Sequence, residues 1–288
     1  MATNNMKFNL IHHYTDINTL ALILKHKTIR FNRLDRVDDL TEGSSFKKLN
    51  LGKFFYVSCW THDPNESIPQ WNMYTPNMAG VRVSLPTKMF DYKPLVVPKE
   101  IEAISNGEII SPIPFEKMLG EKFFIPPIFM DEKKFGRIVD YPPDFQKKKN
   151  EAIEFEVSQD GKFKGKISEP TIIAALKDPD WSFQKEYRFI LFVMPSPSIP
   201  QDKYYFKNLA DQLPNFVSTS LYNGEGPEEN YLDIALSQDA INQLSITVGP
   251  CCTEGDYLII ESLKEKYSPS GQIKKSKYTN TIRCSKNA

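Results

Sequence analysis

The sequence predicts a mixed α+β fold, and three observations carry that expectation. Two stretches read as buried strands. Phe54–Thr61 is dominated by aromatic and β-branched residues, and Gln184–Met194 alternates Tyr187, Phe189, Leu191 and Val193 with Arg188, Ile190, Phe192 and Met194. A helically spaced run, Ile17, Leu20, Ile23 and Leu24, follows directly on an alternating segment over Leu10–Thr15. Helical segments do not recur between candidate parallel strands, so a doubly wound sheet is not expected.

At 288 residues the chain can bury a substantial core, and 40% hydrophobic with 25% charged residues is the composition of a folded protein. Lys plus Arg equals Asp plus Glu at 36 each, so no global field draws the chain to nucleic acid or membrane. The start, Met-Ala-Thr-Asn-Asn, carries no positive segment followed by an apolar core, and no run reaches membrane-spanning length. Cytoplasmic residence with reduced thiols is the expectation for Cys59, Cys251, Cys252 and Cys284.

In the first strand, Leu10, His12 and Tyr14 fall on one side and Ile11, His13 and Thr15 on the other. Thr15 or Asp16 then caps the helix, with Lys25, His26 and Lys27 at its end, so open N–H groups face an anion near His13. Thr28–Phe31 reads as a short strand and Asn32–Glu42 as a polar connection holding Arg33, Arg36, Asp38, Asp39 and Glu42. After the Phe54–Thr61 strand, His62–Pro69 breaks the pattern and Gln70–Tyr74 forms a helical turn or two. There Trp71 and Tyr74 sit side by side, one suited to the core and the other to roofing a pocket.

Gly80–Leu85 resumes as a strand. The middle, 107–150, is expected to elaborate one domain spanning 1–288, with a strand at Arg137–Tyr141 and a surface helix over Pro142–Asn150. Pro195–Asn215 reads as an exposed excursion, and Ser218–Ser220 as a triplet common at strand edges. Phe216–Leu221, Ile241–Val248 and the amphipathic Asp256–Tyr267 complete the chain.

No Gly-x-Gly-x-x-Gly unit, Walker loop or His-Glu-x-x-His helix is present, and Asp39 with Glu42 does not specify a metal site, so no metal is expected. Cys59 has no local histidine partner for nucleophilic chemistry.

Several short signatures occur in order: His13-Tyr-Thr, Asp39…Glu42, Cys59-Trp-Thr, Trp71…Tyr74, Gly80-Val, and Lys177…Trp181…Lys185-Glu-Tyr-Arg188. Together they resemble a bacterial family with H-Y-T, N-D-x-x-E, C-W/F-S/T, W-x-x-Y, G-V and W-x-x-E-x-E-W/Y-R signatures, itself similar to a distant version of the ADP-ribosyltransferase fold. The resemblance runs from the first strand to near residue 190. It departs at Asp38–Asp39, where the family carries N-D, and at Gln184, where it carries glutamate.

The resemblance implies a split, twisted sheet and NAD as co-substrate. His13 becomes the ribose anchor, Tyr74 the nicotinamide-stacking ring with Tyr14 or Trp71 as substitutes, and Glu186 the catalytic carboxylate that stabilises charge developing on the ribose. Arg82 and Arg188 are candidate pyrophosphate clamps, Arg188 reading equally as a partner of Glu186, and Arg33 and Arg36 are further candidates for phosphate, their loop reading equally as exposed and charge-balanced without a ligand. The implied activity is transfer of ADP-ribose to an intracellular macromolecule, nucleic acid among the candidates. The alternatives are NAD hydrolysis, or non-enzymatic nucleotide or protein recognition in a toxin-like or antiviral defence system.

Overall fold

The computed structural model describes residues 8–43, 51–101, 109–127, 130–151, 153–157, 163–167 and 170–284. Leu10–Thr15 (β1) buries Ile11 completely and leaves Leu10 exposed, as alternation along a strand requires. Asp16 then turns the chain into Ile17–His26 (α1), its Oδ1 accepting from the Thr19 N–H at 2.6 Å. The helix N-terminus that the sequence offers to an anion is therefore filled by the chain's own carboxylate. Lys27, in the left-handed conformation, ends the helix.

Thr28–Arg33 (β2), Phe55–Thr61 (β3), Val81–Pro86 (β4), Gly136–Ile138 (β5), Glu186–Phe192 (β6), Tyr231–Ala235 (β7), Ser245–Val248 (β8) and Gln272–Lys275 (β9) join β1 in a nine-stranded sheet. One path runs β7-β2-β3-β1-β4-β8-β9. Along the other edge of β3 lies β6, paired in turn with β5. Within this sheet only β8 and β9 pair in parallel among the described residues. The class is thus α+β with a twisted, open sheet.

The sheet forks at β3. Its whole length pairs with β6, from Phe55↔Phe192 to Thr61↔Glu186. Its opposite edge is shared: Tyr56 and Val57 pair with β2, whereas Thr61 pairs with His12 of β1. Between those contacts β1 and β2 diverge, and the backbone at Cys59 is left without a strand partner on that side.

Alternation along β6 divides the core in two. Tyr187, Phe189 and Leu191 pack with Ile11, Leu20, Leu24, Val83 and Ile246, while Ile190 and Phe192 pack with Leu34, Phe54, Phe55 and Val57. Glu186 and Arg188 have the parity of Ile190, so both project from the second face, beyond its apolar part.

Four sequence expectations need correction. The stretch read as an excursion over 195–215 contributes most of a long helix, Tyr205–Asn223 (α3), whose Tyr205, Leu209, Leu213 and Leu221 repeat on one face and seal the second core despite Pro214. Ser218–Ser220 lies on that helix and not at a strand edge. The 107–150 segment is not only an elaboration, because β5 extends the main sheet. Finally, Cys251 and Cys284 are joined by a disulfide, so two of the four thiols expected to be reduced are oxidised. Among the described residues no helix is long and apolar enough to cross a membrane.

Candidate active site

The fork places His13 first. Its Nδ1 lies 2.9 Å from the carbonyl of Cys59, the group that neither β1 nor β2 reaches. A carbonyl only accepts, so Nδ1 carries the proton; burial lowers the imidazole pKa and keeps it neutral, leaving Nε2 as an acceptor. His12, one residue back and on the opposite side of β1, bonds Ser84 Oγ of β4 at 2.7 Å. Burial, aided by Arg82 and Lys274, brings its pKa down to about 3.

Tyr74 comes from Ile68–Tyr74 (α2), capped by Ser67 with Pro69 in its first turn. Trp71 turns inward and is fully buried, its Nε1 donating to Glu66 Oε2 at 3.0 Å and its ring meeting Tyr14 edge-on. The Tyr14 hydroxyl accepts from the Ser67 N–H at 2.9 Å. One turn of helix separates that packing residue from Tyr74, which is half-buried and accepts from Gln184 Nε2. Burial and the nearby charges of Asp38 and Glu186 push the Tyr74 hydroxyl upward, so it stays protonated.

Glu186 belongs to a buried cluster of four charges. Arg188 Nε and Nη2 meet Glu186 Oε1 and Oε2 at 2.6 and 2.9 Å, and the same guanidinium bonds both oxygens of Glu42 and the carbonyl of Ala174. Lys177 Nζ lies 2.9 Å from Glu42, 3.5 Å from Glu186 and 2.8 Å from Gln184 Oε1. Two cations and two carboxylates cancel, which is how charges so deeply buried are tolerated. Burial pushes the Glu42 carboxyl up, but Arg188 and Lys177 outweigh it and hold it at about 2.

His13, Tyr74 and Glu186 line one cavity of about 190 Å³, together with His12, Tyr14, Trp60, Thr61, Gln70 and Gln184. Asn32, Arg36 and Asp38 stand at its exposed side. A second cleft of about 610 Å³ adjoins it through the fork, sharing His13, Asn32, Val37, Cys59 and Trp60. Cys59 also borders the charge cluster; burial and then Glu186 push its thiol well above the ordinary range, so it is a poor nucleophile.

The remaining sequence candidates are held elsewhere. Arg188 lines the cavity, but its five N–H groups face Glu186, Glu42 and Ala174, so the ion-pair reading applies and not the phosphate clamp. Arg82 is buried, with Nη2 on the carbonyls of Asp63 and Pro64, and does not line the cavity. Arg33 is forked onto Asp35. Trp71 is enclosed in packing, whereas Tyr14 borders the cavity with its hydroxyl engaged.

Glu42 and Lys177 are the residues that sequence reasoning passed over as charge partners. Both sit inside quoted motifs, yet nothing local signals that a loop glutamate and a late strand arginine meet. Gln184, noted only as a departure, bridges Tyr74 to Lys177; a glutamate there could not donate to the tyrosine oxygen.

Comparison with known proteins gives no matching family model, no matching curated protein and no matching solved structure.

Proposed function

We propose that the protein is an ADP-ribosyltransferase-like enzyme that cleaves the nicotinamide–ribose bond of NAD and passes ADP-ribose to an acceptor group on a macromolecule. One observation carries this reading: His13, Tyr74 and Glu186, from three distant parts of the chain, border a single cavity at a sheet fork. The smaller chamber suits a nicotinamide riboside end, and the adjoining cleft gives the rest of a dinucleotide somewhere to extend.

Each side chain has a part its chemistry allows. His13 Nε2 accepts a hydrogen bond from a ribose hydroxyl. The Tyr74 ring, fixed by Gln184, packs against the nicotinamide. As the C1′–N bond breaks, nicotinamide leaves with the electron pair and positive charge develops on the ribose. Glu186 stabilises that charge as an anion held in place by Arg188 and Lys177. The acceptor then bonds to C1′ and loses its proton; where water takes that place the reaction is hydrolysis.

The test is release of nicotinamide from NAD by wild type and by E186Q, with folding checked by circular dichroism. Loss of release in a folded E186Q protein supports the reading. No NAD turnover by wild type in the presence of nucleic-acid and protein acceptors contradicts it.

A further inference from the structure

Of the three cations lining the cavity, two are spent. Lys177 and Arg188 are neutralised by Glu42 and Glu186, whereas Arg36 is exposed at the mouth and has no carboxylate partner among the described residues. Its backbone is nonetheless fixed. It ends the short helix Leu34–Arg36, in which Leu34 is fully buried and Asp35 receives a two-pronged bond from Arg33 at 2.7 and 3.0 Å. Gly43 packs against the Asp35 backbone so closely that a Cβ there would lie 2.5 Å from Asp35 Cα. Arg36 is thus a guanidinium with no carboxylate partner among the described residues, presented by a turn packed on both sides.

The mouth is also polarised. Asp38, two residues on, flanks the Tyr74 side and repels anions from it. Among the described residues that line the cavity, Arg36 is the cation left to attract an entering anionic group, so the opposite end of the ligand is directed to Tyr74 and Glu186.

We infer that Arg36 is the phosphate anchor of this cavity, and that its ligand is a phosphate ester or pyrophosphate inserted with the phosphate outermost. This rests on the nucleotide reading of the same site and narrows the phosphate candidates Arg33, Arg36, Arg82 and Arg188 to Arg36. Guanidinium suits the task because its planar fork meets two phosphate oxygens at once.

The test is calorimetric titration of inorganic pyrophosphate, and separately of NAD, into wild type, R36K and R36Q. Arg36 is exposed, so the variants are expected to melt with wild type. Pyrophosphate binding that weakens at least about tenfold in R36Q, and less in R36K, supports the anchor. Equal binding by wild type and R36Q, or none by wild type, overturns it whatever NAD does. Pyrophosphate binding that depends on Arg36, with no NAD affinity in wild type, keeps the anchor and removes the nicotinamide reading.

Discussion

Arg188 binds Glu42, 146 positions earlier in the chain, through the same guanidinium that orients Glu186 on its own strand. The loop after β2 is thereby locked to the start of β6, and if the carboxylate at the cavity swung away, Arg188 and Lys177 would be left sharing Glu42 alone.

Removing Glu42 leaves Arg188 and Lys177 facing a single carboxylate. E42A is expected to cost about 3–5 kcal/mol of stability, and E42Q less, since the amide still accepts from Arg188. Urea unfolding midpoints check this. A wild-type midpoint for E42A would show that the pair is dispensable.

Acid sensitivity follows from groups whose pKa the fold depresses, His12 and Glu42 by a wide margin. His12 falls from 6.5 to about 3 in the fold, and Glu42 from 4.5 to about 2. Below their ordinary values the unfolded chain binds more protons than the native one, so stability is complete above about pH 6.5 and lost as pH falls. The first loss, setting in below about pH 6.5, belongs to His12 together with His13 and His62, whose imidazoles burial also lowers, and Glu42 adds to it further down. Unfolding free energies across pH 4–7.5 are expected to fall toward acid, with a shallower slope in the upper part for H12Q, where His13 and His62 remain. A flat wild-type profile contradicts the assignment.

His13 is predicted to act through binding. H13A removes the hydrogen bond to Cys59, costing about 1 kcal/mol of stability, while the KM for NAD rises at least about tenfold. Because burial keeps His13 neutral, wild-type affinity is expected to hold steady from pH 8 down to 6.5. An affinity that tracks an ordinary histidine titration argues against a neutral acceptor.

The disulfide closes a span of 33 residues that holds α4 (Glu254–Tyr267) and β9. Its reduction, or C284S, is expected to lower stability by roughly 3–4 kcal/mol. Melting with and without dithiothreitol measures this, and identical curves would show that the bond contributes nothing.

The parts of the fold legible in sequence were those with a local signal. β3 and β6 declare themselves by composition and alternation, α1 by its spacing and cap, and Trp71 with Tyr74 by helical offset. Helix α3 was hidden because its apolar stripe recurs only every fourth residue among prolines and polar side chains. The Glu42–Arg188 pair, the engagement of Arg82 with the Asp63–Pro64 backbone, and the Cys251–Cys284 bond depend on distant segments meeting, which neither period nor propensity encodes.

The most direct measurement is a crystal structure of the protein bound to a non-hydrolysable NAD analogue. The expected result places the nicotinamide ring against Tyr74, with ribose hydroxyls within hydrogen-bonding distance of His13 Nε2 and Glu186. An analogue bound away from the fork, or one whose ribose meets neither side chain, would contradict the proposed chemistry.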